Sequence, residues 1–187
     1  MKRNPSKMTG TILTNDPSMT AWGYAVLNWN GEILKSGCII TKPSGKKSRI
    51  RKSDDRCRRV SEINAQLLAL IKENDVRFII SELPHGSQNA SAAVMIGIVI
   101  GILQTISDAL LIGLEWYSEN DVKKFLFNRM SVGKQEMVEL IKEKTKGNNE
   151  WFKNIKFRDE AVADSLGIYL VALNQSAVLK FAANPIQ

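Results

Sequence analysis

The spacing of hydrophobic positions changes along the chain, and the change predicts the order of strands and helices. Apolar runs of strand length lie at 10–16, 22–29 and 33–41. The Asn-Gly pair at 30–31 stands between the second and the third run, which is the strongest short-range signal of a β-hairpin. We therefore expect the chain to begin with three antiparallel strands.

Helical spacing follows a polar, basic loop at 42–53 and continues over 54–74. Two apolar runs, at 76–83 and 110–118, have the composition of strands that are buried on both faces of a sheet. The remaining periodic segments predict helices at 90–108, 119–127, 133–145 and 159–174.

Three antiparallel strands followed by alternating strands and helices predict an α/β fold. Its sheet would have five strands in a mixed arrangement, three antiparallel strands and then parallel ones, flanked by helices. A length of 187 residues suits one domain. We expect residues 1–9 to form a flexible basic arm and residues 10–187 to form a single domain.

The net charge of +7 and the isoelectric point near 9.5 change this picture of an ordinary soluble domain. Lys and Arg cluster at 46–52, 56–59 and 151–158. Basic clusters attract polyanions, of which nucleic acid is the commonest. A soluble protein that is merely basic, with solvated charges, is the alternative.

The cysteines and the apolar stretches bear on the cellular compartment. Cys38 and Cys57 form no Cys-x-x-Cys pair, which suggests a reducing compartment and no structural zinc site. The apolar stretch at 92–103 is shorter than the roughly 20 residues that span a bilayer. The first ten residues have no apolar core of the signal-peptide kind. We expect a cytoplasmic protein, in the host cytoplasm if it is phage-encoded, with no membrane partner.

Acidic residues stand at positions where the pattern predicts buried neighbours. Asp16 ends the first strand, Glu82 ends the fourth, and Asp164 lies among apolar residues of the final helix. Glu160 lies four residues before Asp164, on the same helical face. If strands one and four are adjacent, these acids converge at one end of the sheet.

Converging carboxylates repel each other unless divalent cations neutralise them, and sites with oxygen ligands alone suit Mg²⁺ or Mn²⁺. Two such ions activate a water molecule and stabilise a leaving oxygen in phosphodiester cleavage. A basic protein with an acidic metal pocket therefore suggests a nuclease, since its basic surface would bind the phosphate backbone.

Each acid taken alone has a structural alternative. Asp16, in Asn-Asp-Pro-Ser, has the sequence of a turn stabilised by the Asp side chain. Glu82 has the alternative of an ordinary ion pair with a nearby Lys or Arg. Glu160 and Asp164 have the alternative of a solvated first helical turn, favoured by the helix dipole.

Four blocks of the sequence, in order over residues 10–174, resemble RuvC-type Holliday junction resolvases of the RNase H-like superfamily. An Asp-Pro ends strand one in ILTNDPSMTAWGYAVLNW, and a Glu closes a strand in FIISELPHGSQNASAAV. A Val-Lys-Lys run leads to a Gly-Lys turn in WYSENDVKKFLFNRMSVGK, and DEAVADSLGIYLVAL resembles the family's last helix. The sequence is divergent, as phage or viral members are. The resemblance implies an RNase H-like fold and symmetric nicking of branched DNA, foremost four-way junctions, by a homodimer.

Carried over position by position, the resemblance assigns Asp16, Glu82 and Asp164 as catalytic ligands of two Mg²⁺ ions, with Mn²⁺ as the alternative metal. The family usually has another acid three residues before the last one, but Ala161 occupies that place. Glu160 is the best substitute because its longer side chain lies on the same face. Asp159 is the alternative fourth ligand, reached if the start of the helix frays.

The resemblance also assigns residues that contact DNA. Lys134 matches a catalytic lysine near the scissile phosphate, and His85 stands where some members place an aromatic wedge. The basic loop is expected to contact the DNA backbone through Lys46, Lys47, Arg49, Arg51 and Lys52. Ordinary solvated side chains are the alternative for all of these residues.

The helix that contains Gly97 and Gly101 resembles the family's dimer-interface helix, and internal packing of these glycines is the alternative. Two other functions stay open at this point. One is the same chemistry on flaps, forks or RNA–DNA hybrids. The other is a non-catalytic protein that binds branched DNA, which the Ala161 departure keeps open.

Overall fold

The structure, a computed structural model, describes residues 8–45, 47–145 and 149–183. Nearly all of the expected N-terminal arm, residues 1–7, lies outside this part of the chain. The strands are β1 (Thr11–Asp16), β2 (Ala21–Leu27), β3 (Ile33–Ile40), β4 (Val76–Leu83) and β5 (Gly113–Ser118). The helices are α1 (Lys52–Glu73), α2 (Ala90–Leu110), α3 (Glu119–Phe127), α4 (Lys134–Lys144), α5 (Lys156–Gln175) and α6 (Ala177–Ala183), with a 3-10 turn at Asn149–Trp151.

The five strands form one mixed sheet in the order β3-β2-β1-β4-β5. β2 pairs antiparallel with β1 and β3, and β4 pairs parallel with β1 and β5. The expected five-stranded mixed sheet is confirmed, including the adjacency of β1 and β4. This adjacency places the carboxyl ends of β1 and β4 at the same edge of the sheet.

Each face of the sheet has its own hydrophobic core because side chains alternate along the strands. Ile12 points into the core that α5 and α4 cover, and its neighbour Leu13 points into the core that α1 and α2 cover. The first core contains Ile80, Ile141, Val162, Leu166 and Ile168, and the second contains Trp22, Ile63, Leu67, Ile79 and Leu103. The sheet is therefore the middle of three layers.

The prediction of a buried strand over 110–118 is wrong at its start and in its burial. Helix α2 continues to Leu110, and Leu111 ends it in the left-handed conformation with φ of 55°. The strand begins only at Gly113, and Tyr117 is its one buried residue. β5 lies at the edge of the sheet, where a neighbouring strand covers one side alone. Helix α5 begins three residues earlier than expected, at Lys156, and α6 was not predicted.

Helix α2 is long and apolar enough to cross a membrane by length and composition, which for a single helix is weak evidence. Its residues Val99, Leu103 and Ile106 are buried against the sheet. Its other face is open: a β-carbon added to Gly97 or Gly101 would meet nothing within 4 Å. Internal packing of these two glycines within the described chain is therefore excluded.

Candidate active site

Asp16 and Glu82 lie side by side at one edge of the sheet. In the parallel pair β1–β4, Asn15 is opposite Ser81, and the next residue on each strand is the carboxylate. Residues side by side on neighbouring strands point to the same face. Asn15 points into the other core, where its Oδ1 accepts a hydrogen bond from Trp22 Nε1 at 3.0 Å. Asp16 and Glu82 therefore point to the face that α5 covers.

A glycine brings helix α5 close to these carboxylates. Gly23 on β2 is the partner of Asp16 in the β1–β2 ladder. A β-carbon on Gly23 would lie 2.1 Å from the carbonyl oxygen of Ala161, so the helix rests directly on the strand's backbone. Asp164 follows Ala161 by three residues, on the same side of the helix. This contact places Asp164 beside the first two acids.

Burial and neighbouring negative charges raise the pKa of all three carboxyl groups. Burial, and after it the charge of Asp164, raises the pKa of Asp16 to about 7. Burial, followed by the charges of Asp16 and Asp164, raises the pKa of Glu82 to about 8. Burial also raises the pKa of Asp164. Full ionisation of all three carboxyl groups is therefore unfavourable unless a cation lies among them.

Lys134 provides one such cation. It is the first residue of α4, and its ammonium group contacts Asp164 Oδ2. Burial would lower the pKa of Lys134, but the negative charges of Asp164, Asp16 and Glu82 raise it. The lysine is thus fully charged at neutral pH and points into the acidic cluster.

The acidic cluster has the donor atoms of a metal site but not yet its arrangement. Within the described ranges, no three Asp, Glu, His or Cys side chains already stand as a ready metal site. Lys134 instead occupies the position next to Asp164. The donors are carboxylate oxygens alone, which hard divalent cations prefer. Their mutual repulsion is what such a cation would relieve, so the residues fit Mg²⁺ or Mn²⁺ in chemistry and in charge.

The two residues expected to supply a fourth ligand differ in their surroundings. Asp159 is buried, and its Oδ1 accepts a hydrogen bond from the Lys153 backbone N–H at 2.9 Å. Its carboxylate thus fixes the loop before α5. Glu160 is half-buried, and its charge raises the pKa of Asp164 less than burial does. Ala161, at the position where the resemblance expects an acid, is buried against Gly23.

Glu119 joins the cluster, although the sequence analysis did not single it out. It follows β5 directly and begins α3, and its charge is among those that raise the pKa of Asp16, Glu82 and Asp164. Its position directly after the third parallel strand was the sequence signal that could have identified it. An acid at a helix start has an ordinary explanation in the helix dipole, which concealed this signal.

A small cavity of about 40 Å³ marks where these side chains face each other. Its lining includes Glu82, Glu119, Lys134 and Asp164. A larger cavity of about 540 Å³ lies beyond the other end of β2, beside Gly31. That cavity is mostly apolar and is remote from the acidic cluster. The small cavity is therefore the one that belongs to the candidate active site.

The basic loop is held at the same end of the sheet as Asp16. β3 ends at Ile40, opposite Ala21, two residues from Gly23. Asp55 on α1 anchors the loop by accepting hydrogen bonds from the Ser44 backbone N–H at 3.1 Å and the Ser44 hydroxyl at 2.6 Å.

The side chains expected to contact DNA are exposed where the structure describes them: Lys47, Arg49, Arg51 and Lys52. Lys46 lies outside the described residues. His85 is exposed in the loop after β4, with Nε2 3.5 Å from Glu119 Oε2. His85 thus lies beside the acidic cluster, and the four described basic residues belong to the segment that joins the end of β3 to the start of α1.

One arginine of the basic cluster at 56–59 has a structural position instead. Arg59 is buried, and its guanidinium donates to Thr41 Oγ1 at 2.8 Å, to the Met19 carbonyl at 2.6 Å and to Thr20 Oγ1 at 3.0 Å. These bonds fix the turn that follows Asp16. Arg59 is therefore not part of the exposed basic surface that would attract a polyanion.

No family model and no curated protein matches the sequence. The fold is similar to Thermus thermophilus RuvC in complex with a Holliday junction substrate, with a TM-score of 0.65 and 17% identity over 87% of this chain and 96% of that one. It is also similar to the yeast mitochondrial Holliday junction resolvase, with a TM-score of 0.60 and 15% identity over 96% and 86% of the two chains.

These similarities establish the RuvC-type, RNase H-like fold that the sequence blocks predicted. The fold is one that junction-resolving nucleases use. The two neighbours come from a bacterium and from yeast, so they give no support to a phage or viral origin.

Proposed function

We propose that this protein is a metal-dependent endonuclease that resolves branched DNA, foremost four-way junctions, by symmetric nicking. The observation that carries the proposal is the meeting of Asp16, Glu82 and Asp164 with Lys134 at one edge of a RuvC-type sheet. These residues come from four separate segments. A buried acidic cluster of this kind costs stability, and such clusters are concentrated at functional sites.

In this proposal Asp16, Glu82 and Asp164 hold two Mg²⁺ ions, or Mn²⁺ ions, with Glu160 or Asp159 as further candidates from the start of α5. When bound, the ions supply a water molecule of lowered pKa and stabilisation of the departing 3′-oxygen. Lys134 then gives up its contact with Asp164 and presents its ammonium group to the scissile phosphate.

The basic loop supplies the affinity for the DNA backbone. Lys47, Arg49, Arg51 and Lys52 are exposed, and Lys46 belongs to the same run of sequence. Contacts with phosphates position the DNA without reading its sequence. His85, exposed next to the cluster, is placed to stack on an unpaired base or to hydrogen-bond a phosphate at the branch point.

A homodimer formed through α2 completes the proposal. Val94 is 49% exposed, and Gly97 and Gly101 leave open space above the helix. A twofold axis through such a helix pair gives a self-complementary interface. It would also place two active sites on opposed strands of a symmetric junction. We place this dimer in the cytoplasm, in keeping with the free thiols of Cys38 and Cys57.

A second function, binding of branched DNA without cleavage, is favoured by one observation. The Lys134 ammonium group forms an ion pair with Asp164, and Ala161 stands where RuvC-type resolvases usually have an acid. Such a protein would keep the basic surface and the fold but would not cut.

Cleavage of labelled DNA separates the two functions. Purified protein is incubated with a four-way junction, a flap, a fork, an RNA–DNA hybrid and a linear duplex, with Mg²⁺ or with EDTA. We expect symmetric nicks in the junction with Mg²⁺ alone, and no nicks from Asp16→Asn. Tight junction binding without cleavage would refute the nuclease, and preferential cutting of a flap or hybrid would reassign the substrate.

A further inference from the structure

We infer that Glu119 is the fourth carboxylate of the site, and that it binds the metal from the end of β5 in place of an acid on α5. This inference rests on the proposed nuclease function. It concerns the residues of this chain and names a ligand that the family resemblance does not assign.

The strand order places Glu119 at the correct edge of the sheet. β1, β4 and β5 are adjacent and parallel, so their carboxyl ends meet at one edge. Leu83 on β4 is opposite Ser118 on β5, and Glu119 is the next residue. Tyr117 on β5 is opposite Glu82, and the backbone is still extended at Ser118, so Glu119 points to the same face of the sheet as Glu82 from two residues further along. It also lines the small cavity together with Glu82 and Asp164.

The residues at the start of α5 are poorer candidates for the fourth ligand than Glu119 is. Ala161 is packed against the backbone of Gly23, so no longer side chain has room there. The Asp159 carboxylate already accepts the Lys153 backbone N–H and is buried in that contact. Glu160 lies within the field of Asp164, but it does not line the described cavity.

The present partners of Glu119 are easily exchanged. Lys123 Nζ lies 2.6 Å from Oε1, and His85 Nε2 lies 3.5 Å from Oε2. The Glu119 side chain is 38% exposed, and ion pairs exposed to this extent contribute little to stability. A divalent cation among Glu82, Glu119 and Asp164 would outcompete such single charges at close range.

The test measures Mn²⁺ binding to the metal-free protein by isothermal titration calorimetry, without DNA. Glu119→Gln removes the charge, and Glu119→Asp keeps the charge but shortens the reach of the carboxylate. If Glu119 is a ligand, both variants bind one Mn²⁺ at least about tenfold more weakly than wild type. If Glu119 acts only through its negative charge, Glu119→Asp binds Mn²⁺ as wild type does and only Glu119→Gln is weakened. Glu143→Gln, an exposed acid near the far end of α4, is the matched control and should stay within about twofold of wild type.

The outcomes separate this inference from the proposed function. If Glu119→Asp binds both ions as wild type does, while Asp16→Asn does not bind, Glu119 is not a ligand and the nuclease proposal stands. If Glu160→Gln alone loses an ion, the fourth ligand is on α5 and the inference is overturned. If wild type itself binds no Mn²⁺, both proposals fall. Circular dichroism of each metal-free variant verifies that it is folded.

Discussion

The carbonyl oxygen of Ala161 lies 2.1 Å from the place that a β-carbon on Gly23 would occupy. Helix α5 therefore touches the backbone of β2 at the rung of the ladder where Asp16 sits opposite Gly23. Through this contact the distance between Asp16 and Asp164 depends on the absence of a side chain. A residue with no functional group thus determines the geometry of the acidic cluster.

Gly23→Ala is expected to displace α5 and to destabilise the fold. The new methyl group meets backbone atoms, which cannot rotate away, and overpacking of this kind costs typically about 1–3 kcal/mol. We expect the free energy of unfolding in urea to fall by at least that amount, and cleavage of the junction to fall more than DNA binding does. Gly45→Ala is the control, since its β-carbon would meet nothing within 4 Å. Equal effects of the two variants would contradict this interpretation of the contact.

Asp16→Asn is expected to stabilise the metal-free protein at high pH. The Asp16 carboxyl keeps its proton up to about pH 7 in the folded protein, whereas its ordinary pKa is 3.8. Between these two values the folded state binds more protons than the unfolded state, so the stability of wild type decreases as pH rises. We expect the variant to gain about 1–3 kcal/mol more over wild type at pH 8 than at pH 5.

Thermal and urea unfolding in EDTA, at pH 5 and at pH 8, measure this difference. Glu82→Gln should behave in the same way, because burial and the neighbouring acids raise the pKa of Glu82 to about 8. Addition of Mn²⁺ at pH 8 should then stabilise wild type more than either variant. A stabilisation by Asp16→Asn that is independent of pH would show that the charge of the buried Asp16 carboxylate is not its cause.

Neutralising the basic loop is expected to weaken binding in a salt-dependent way. Each of Lys47, Arg49, Arg51 and Lys52, changed to Gln, should reduce the slope of log K against log[salt] by about 0.9 if it neutralises one phosphate. Fluorescence anisotropy of a labelled junction at several NaCl concentrations measures the slope. Lys72→Gln, exposed in the last turn of α1, removes the same charge at the other end of the helix and should leave the slope unchanged.

Val94→Glu is expected to convert the proposed dimer into a monomer. Val94 lies on the open face of α2, and a buried carboxylate at a helix–helix interface without a partner is strongly unfavourable. Sedimentation velocity should show a dimer for wild type and a monomer for the variant. Leu68→Glu makes a comparable change on α1, where the side chain is 44% exposed, and should leave the dimer intact. A wild-type monomer at all concentrations would refute the proposed interface.

Most of the fold followed from hydrophobic spacing, because the strands and helices differ clearly in period. The hairpin at Asn30-Gly31 and the buried run at 76–83 are local signals that the structure confirms. The start of β5 could not be predicted in the same way. Leu110 and Leu111 are apolar but exposed, since the helix ends there through a left-handed leucine rather than through a glycine.

The site was harder to predict because it depends on contacts between distant segments. Asp16 and Glu82 stand out in the sequence since each closes an apolar run. Glu119 does not, because an acid at a helix start is commonplace. The role of Arg59 was likewise hidden: nothing in a run of basic residues distinguishes the one that donates to the Met19 carbonyl from those that face solvent.

The order of the acidic residues along the chain has a consequence for biosynthesis. Asp16 is made early, whereas Asp164 belongs to α5, which packs on β2 and β1 from the other end of the sequence. A nascent chain that still lacks α5 has Asp16, Glu82 and Glu119 at one edge of the sheet but not Asp164. In the proposed nuclease, the ability to cut DNA therefore arises only when the last long helix packs on the sheet.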